Sequence, residues 1–242
     1  VVHLAAMNDA ECLNDPVLAL QVNAVNTGRL LEAAKAMGVK RVIYFSTAHI
    51  YGPGLVGQID ETTLPKGRHP YATSHIVGEN AVLYQSNRIE NFMGIILRLS
   101  NGIGAPTHKH TNCWMLAVND FCRQVVESGK IIVNSSSEVE RDFVQISLLC
   151  KSIHSIIDGF EVDSGIINIS SSNAVSLEEI TNVIKDRSEL VLGFVPEVIF
   201  KSERSVNSNR KLLLSNQKLK KIIEVEINLI DEIDQLLLRC KT

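Results

Sequence analysis

The segment from Val39 to Phe45 is apolar from Val42 onward, after Lys40 and Arg41, and stops at two small hydroxyl residues, Ser46 and Thr47. This run constrains the fold more than any other. It reads as a parallel strand covered on both faces, because an edge strand facing water would alternate apolar with polar positions. Apolar runs at Val1–Leu4 and Phe92–Leu97 read as strands too, and helical segments separate the three. Asp15 and Pro16 supply an N-cap and a first-turn proline, and Val17, Leu20, Ala24, Leu31 and Ala34 then keep helical spacing as far as Gly38. A polar loop from Gly52 to His69 leads into a second helix at Pro70-Tyr71. Strand, helix, strand, helix, strand is the signature of an α/β domain with a parallel sheet.

Past Arg98 the pattern loosens. Thr111–Ser128 reads as a helix, Lys130–Val133 as a strand, Arg141–Ile146 as an extended piece before a helix to Asp158, and Gly165–Ser170 as a strand. Ser176-Leu-Glu-Glu179 has capping-box spacing at the head of a helix that ends near Arg187. A strand at Pro196–Phe200, a charged loop and two amphipathic helices complete the chain. The expected organisation is a dinucleotide-binding portion in residues 1–104 with parts of 130–170, and a smaller lobe in 105–129 and 171–242.

The net charge of −3 gives no basic footprint for nucleic acid, and no apolar run approaches the ~18 residues of a membrane span. A cytoplasmic protein is the default expectation. The five cysteines are scattered without Cys-x-x-Cys spacing, which points to free thiols rather than a disulfide framework or zinc site. His108 and His110, two residues apart in a loop with no carboxylate partner, read as solvated, so no metal is expected. No serine stands in a Gly-x-Ser-x-Gly setting, which argues against a serine hydrolase.

The chemistry centres on His69-Pro-Tyr71-Ala-Thr-Ser-His75, which places a phenol and an imidazole at i and i+4 on one helix face. Thr47, where the preceding strand ends, can face them. A hydroxyl at a strand end opposite a tyrosine is a proton-transfer arrangement. A phenol with a pKa near ~10 is a poor base at neutral pH unless a positive charge or hydrogen bonds stabilise its anion.

These residues resemble the core of the extended short-chain dehydrogenases that act as nucleotide-sugar epimerases and dehydratases, a Ser/Thr after a buried strand followed by Tyr-x-x-x-Lys. The resemblance runs from residue 1 to about 220. His3-Leu4-Ala5-Ala6 is similar to the family's strand end beside the cofactor, and Asn23 and Leu30-Leu-Glu-Ala-Ala34 to its following helix. Leu97-Arg98-Leu-Ser-Asn101-Gly-Ile-Gly104 and Arg141-Asp-Phe-Val144 resemble segments whose Asn and Arg meet the substrate diphosphate. Asn168-Ile-Ser170 through Ile180 follows a further family run. The resemblance implies a Rossmann-like fold and NAD or NADP as cofactor. It makes Thr47, Tyr71 and His75 catalytic, and places Leu4, Ala5, Ala6, Asn23 and Ser46, with Tyr71 and His75, at the cofactor. His49, Asn101 and Arg141 fall to the nucleotide-sugar substrate. A homodimer through the helices at Tyr71–Arg88 and Pro16–Met37 is implied as well.

Three departures shape the expected activity. The family's Gly-x-x-Gly-x-x-Gly loop belongs to strands upstream of Val1, so the sequence, which opens directly in a strand, is expected to be a piece lacking those first strands. His75 replaces the lysine. Ala48-His49 stands where dehydratases carry a carboxylate, which shifts the expectation toward epimerisation or simple oxidation and reduction. The alternative from another class is a non-catalytic relative that binds a nucleotide sugar or a partner protein.

Overall fold

The computed structural model describes residues 1–108, 110–158, 164–202 and 211–241. Strand β1 (Val2–His3) leads to α1 (Asp9–Asn14), which Asn8 and Glu11 close with a reciprocal capping box. In α2 (Pro16–Ala19) the Asp15 carboxylate accepts from the Leu18 amide and Pro16 holds the first turn. A π-helical stretch (Leu20–Val25) then joins α2 to α3 (Asn26–Ala36), so the long helix expected from spacing is continuous but widened in its middle. Within that stretch Asn23 is buried, accepting from the Met7 amide at 2.7 Å and donating to Ser74 Oγ at 3.0 Å.

The apolar run of the sequence becomes β2 (Arg41–Thr47), which continues through both hydroxyl residues. A 3-10 turn (Ala48–Tyr51), β3 (Gly57–Ile59), α4 (Pro70–Arg88), β4 (Met93–Leu99) and β5 (Asn101–Ile103) follow. The second half carries α5 (Ala117–Ser128), β6 (Lys130–Val133), β7 (Glu140–Gln145), α6 (Ile146–Ile157) and β8 (Gly165–Ile169). It closes with β9 (Ala174–Ser176), α7 (Leu177–Leu192), β10 (Glu197–Phe200), β11 (Leu212–Leu214) and α8 (Leu229–Lys241).

Four strands form a parallel sheet in the order β1-β2-β4-β8, with Arg41 opposite Met93 and Thr47 opposite Leu99. Side-chain alternation sends Val42 and Tyr44 to a core shared with Leu31 of α3 and Val82 of α4. Ile43 goes to the opposite core with Leu148 and Ile156 of α6. Covered on both faces, this is a Rossmann-like α/β sheet. A separate apolar cluster joins α5, α7 and α8 around Phe121, Ile180, Ile184, Ile233 and Leu236.

Two expectations need correction. The helix expected over Thr111–Ser128 begins only at Ala117, where Val118, Phe121, Cys122 and Val125 put a continuous apolar stripe into that cluster, and Trp114 lies before it against Arg123. The two C-terminal helices prove to be one 3-10 turn (Leu219–Lys221) and α8, since Leu219 and Ile222 anchor only a single turn to the core. The expected charged loop lies largely outside the described residues.

A buried ion pair joins helix to sheet. Arg98 of β4 donates from Nε and Nη2 to the Glu79 carboxylate of α4 at 2.9 and 2.7 Å, and both side chains are almost fully buried. Ser46 of β2 donates to the same carboxylate at 2.5 Å. Arg98 Nη1 donates to the Tyr51 hydroxyl at 3.0 Å, which donates in turn to Asn168 of β8 at 2.7 Å. Removing one member strands the other's charge in the core. Arg98→Met is therefore expected to lower stability by about 3–5 kcal/mol, measured as a shift in the urea midpoint, with Arg98→Met/Glu79→Gln recovering part of it. A single variant as stable as the wild type would show that the pair does not clamp α4.

Candidate active site

Thr47 is the last residue of β2, and the strand ends there because its hydroxyl oxygen accepts from the His49 amide at 3.1 Å and opens the 3-10 turn. Helix α4 starts opposite, with His69 as N-cap accepting from the Tyr71 amide at 3.3 Å and Pro70 in the first turn. These two ends meet. The Thr47 and Tyr71 hydroxyls interact at the C-terminal end of the parallel strands, where open α/β sheets bind ligands. Burial outweighs that hydrogen bond and pushes the Tyr71 phenol up to about 12, so at neutral pH it holds its proton.

His75 lies one turn further along the same face, its ring edge-on to Tyr71 with 4.6 Å between centroids. Nδ1 is 3.0 Å from the hydroxyl of Tyr44, whereas Nε2 is buried without a partner. Burial, reinforced by the nearby His3 and His49, pulls its pKa down to about 4, so the ring is neutral at pH 7. Tyr44 fits against α4 because residue 78 is glycine. A Cβ there would stand 2.3 Å from the Tyr44 hydroxyl oxygen.

His49, beside Tyr71, lines a cavity of about 220 Å³ together with Gly54, Asn101, Glu140, Arg141 and Leu212, among others. All three residues expected at the substrate are in its wall. Asn101 Nδ2 donates to the Asp142 carbonyl at 2.9 Å, and Glu140 accepts from the Leu212 amide at 2.7 Å. Arg141 makes no side-chain hydrogen bond or ion pair with the described residues, and burial lowers its pKa from the ordinary arginine value. An incompletely hydrated guanidinium without a counter-charge is suited to receive an anion. His49 joins the cavity to the tyrosine, 5.8 Å between ring centroids, and Asp9 lies 3.8 Å from its Nδ1 and 3.4 Å from that of His69.

Of the residues expected at a cofactor, Leu4, Ala5 and Ala6 lie exposed just beyond β1. Ser46 spends its hydroxyl on Glu79 and Asn23 its amide on Met7 and Ser74, so these two hold the walls of the site in place. The unpartnered His75 Nε2 fits a hydrogen-bonding group of a bound nucleotide. Gly52-Pro-Gly-Leu-Val-Gly57 has the spacing of a phosphate loop, yet it connects a 3-10 turn to β3 and presents no helix N-terminus. Among the described residues, no three His, Cys, Asp or Glu are placed to hold a metal ion, and no helix is long and apolar enough to cross a membrane. Sequence reasoning missed Asp9 and Tyr44. The first carried no signal beyond the Asn8-x-x-Glu11 cap around it, and the second was hidden inside an apolar run.

The sequence matches the family described as "Epimerase: NAD dependent epimerase/dehydratase family" over residues 1–170. It is 27% identical over 203 residues to the GDP-6-deoxy-D-mannose reductase of Pseudomonas aeruginosa, a match covering 81% of this chain and 66% of that protein. It is also 27% identical over 187 residues to the GDP-6-deoxy-D-talose 4-dehydrogenase of Aggregatibacter actinomycetemcomitans, covering 76% and 60%. The chain thus spans about two thirds or less of the length of these curated relatives. Its fold is similar to that of RMD from Pseudomonas aeruginosa complexed with NADPH, at TM-score 0.81 and 21% identity over 100% of this chain and 80% of that one. It is likewise similar to UDP-glucose 4-epimerase from Thermotoga maritima with UDP-glucose, at TM-score 0.83 and 20% identity over 99% and 76%.

The buried neutral imidazole has a measurable consequence. Because the folded-state value of about 4 lies below the ordinary 6.5, the unfolded chain takes up the proton first as pH falls. His75 thus contributes stability that is intact above pH 6.5 and is lost progressively toward pH 4, by roughly 3 kcal/mol. The difference in unfolding free energy between wild type and His75→Gln, measured by urea titration, is expected to move in the variant's favour as pH goes from 7.5 to 4.5. A constant difference would mean that His75 titrates normally.

Proposed function

The chain belongs to the NAD dependent epimerase/dehydratase family, and within it we propose an NAD(P)-dependent oxidoreductase of a nucleotide sugar, working in the reducing direction with Tyr71 as the acid. One observation carries this reading. A tyrosine beside Thr47 at the strand ends lies next to His49, which lines a cavity whose half-buried Arg141 has no partner among the described residues. The sugar nucleotide's diphosphate meets Arg141 and Asn101, and this places the sugar toward His49 and Tyr71. When bound, the reduced nicotinamide supplies a hydride to a carbonyl carbon of the sugar. Tyr71 gives its proton to the carbonyl oxygen while Thr47 hydrogen-bonds the phenol.

The protonation states support this direction. Tyr71 is a phenol and His75 is uncharged, so the resting site holds an acid ready to donate. Epimerisation would require the same phenol to act first as a base, without a charged neighbour on its helix to lower its pKa. The reductase among the relatives fits the same direction. The second reading, a binding protein without turnover, also draws on the neutral His75, because a charged lysine is what the family resemblance places there.

Assays of the full-length protein with NADH or NADPH and a panel of keto nucleotide sugars separate the two. Wild type is expected to transfer hydride, and Tyr71→Phe to cut kcat by about 10²–10⁴-fold while cofactor binding, followed by fluorescence, stays nearly unchanged. Arg141→Met is expected to raise KM for the sugar nucleotide by roughly tenfold, the effect of losing about 1.4 kcal/mol of charge-assisted binding, with little change in kcat. Turnover that survives Tyr71→Phe at the wild-type rate would remove the catalytic assignment. Absence of turnover in the wild type would leave the binding reading.

We also propose that two copies pair through α2–α3 and α4. Val17, Leu18, Leu20, Val25, Val77 and Tyr84 are exposed on these elements, an apolar display expected of an interface rather than a solvated surface. Leu20→Asp/Val77→Asp is expected to convert a dimer into a monomer in sedimentation at micromolar concentration. A wild type that sediments as a monomer would dispose of the idea.

A further inference from the structure

One ring nitrogen at the head of α4 has two neighbours that make opposite demands on it. Pro70 carries no amide hydrogen, so the first free N–H of the helix is that of Tyr71, and His69 Nδ1 accepts it at 3.3 Å. Asp9 Oδ2, in the first turn of α1, is 3.4 Å from the same Nδ1. A ring nitrogen that accepts must present a lone pair, whereas one that bonds a carboxylate must carry a hydrogen. Nδ1 therefore serves one neighbour at a time. The neutral ring, with its hydrogen on Nε2, caps α4. The imidazolium has hydrogen on both nitrogens, so it turns to Asp9 and leaves the Tyr71 amide without a partner. Two titratable groups from other elements face this ring. Asp9 favours the imidazolium, while His49 of the 3-10 turn, 3.8 Å from the same carboxylate oxygen, competes for it, and a proton on one imidazole disfavours a proton on the other. The positive end of the α4 dipole also disfavours a cation at the cap. The His69 and Asp9 side chains are 35% and 51% exposed, so the ring exchanges protons with solvent directly.

Resting on the reductase reading above for its effect on turnover, we propose that His69 is a positioning residue whose ring exchanges the Tyr71 amide for Asp9 as pH falls, and so releases Tyr71 from its place beside Thr47. One proton enters from solvent at Nδ1 and no other bond is made or broken. The held amide belongs to the residue whose phenol is the acid. In the first turn of a helix an amide has no partner within the helix, so among the described residues the Tyr71 N–H depends on His69 alone. The Tyr71 carbonyl, by contrast, accepts from Ser74 Oγ at 2.9 Å in either state. Losing the cap loosens the N-terminal side of this residue, and a shift of about 1 Å in a group that must meet the substrate oxygen costs up to roughly a hundredfold in rate. A serine or asparagine at this position would hold the amide at every pH, whereas a histidine holds it only while neutral.

Two measurements on the full-length protein, each between pH 5.5 and 8, test this. In proton–nitrogen correlation spectra of ¹⁵N-labelled protein, His69 is expected to be protonated at Nε2 alone at pH 8 and to become imidazolium on acidification, with the Tyr71 amide shift following the same midpoint. Asp9→Asn is expected to lower that midpoint by about half a pH unit, and His69→Ser, which keeps a cap, to leave the Tyr71 amide insensitive to pH. A neutral His69 with its hydrogen on Nδ1, or a Tyr71 amide that does not follow the ring, would overturn the proposal. In single-turnover hydride transfer, wild type is expected to slow by about tenfold through the His69 midpoint. His69→Ser is expected to hold its pH 8 rate throughout, and His69→Ala to be slow at every pH. Equal acid losses in wild type and His69→Ser would end the proposal, and a loss abolished by His49→Gln instead would assign the effect to the other imidazole. If ring and amide titrate together but wild type transfers no hydride, the reductase reading falls while the exchange of partners stands. Hydride transfer without that coupling removes the positioning role alone.

Discussion

The geometry of the site depends on where α4 rests on the sheet, and that position is held by one carboxylate. Glu79 takes two hydrogen bonds from Arg98 and one from Ser46, which stand on neighbouring strands of the sheet. Burying such a pair costs several kcal/mol of desolvation per ion, and its attraction offsets this only when the remaining donors are satisfied. Here most of them are. The third guanidinium nitrogen donates to Tyr51, whose ring also lies under the guanidinium at 4.9 Å, and Tyr51 donates onward to Asn168. The network adds little net stability compared with apolar packing. What it supplies is register, since an apolar contact could slide along the strand whereas a bidentate pair cannot. Thr47 is next to Ser46, and Tyr71 is on the face of α4 that carries Glu79, so fixing Ser46 to Glu79 fixes the distance between the two hydroxyls.

That face explains which parts of the site could be read from the sequence. Tyr71, His75, Gly78, Glu79 and Val82 recur at helical spacing, and the strand opposite ends at a hydroxyl, so the meeting of Thr47 and Tyr71 followed from two local patterns. The parallel sheet was equally legible, because a strand covered on both faces must be apolar at nearly every position. Arg141 and Asn101 came from motif resemblance, and the cavity brings both to one wall. Tyr44 could not be found this way. In a strand buried on both faces a tyrosine looks like any other large apolar residue, and only the register of α4 over β2 reveals that its hydroxyl meets an imidazole. The π-helical stretch that carries Asn23 inward is likewise set by packing against α4, through Ser74, rather than by any local propensity.

The distribution of charge follows from the same packing. A position that receives an aromatic ring and a tyrosine hydroxyl on its strand side is too dry for an imidazolium, and the neutral form of His75 is the result. Arg141, in the cavity wall rather than beside the phenol, is a cation without a counter-charge among the described residues. Positive charge there favours an anionic substrate without lowering the pKa of Tyr71. In the proposed reaction affinity and acidity are thereby separated, because the group assigned to the diphosphate is not the group that tunes the acid.

A phenol that keeps its proton well above neutral pH is a weak acid, and its usefulness depends on how much stronger a base the substrate oxygen becomes as hydride arrives. In the proposed reduction, an alkoxide forming on a sugar carbon is more basic than a phenolate, so transfer from Tyr71 is downhill late in the reaction even though it is uphill at the start. A charged neighbour would stabilise the phenolate and ease the reverse reaction as much as the forward one. A neutral imidazole gives up that symmetric advantage, and in exchange the site does not carry a buried cation whose desolvation the fold would have to offset. With Thr47 beside the phenol and a neutral ring next to it, the arrangement suits proton donation to a developing alkoxide better than proton removal from a sugar alcohol.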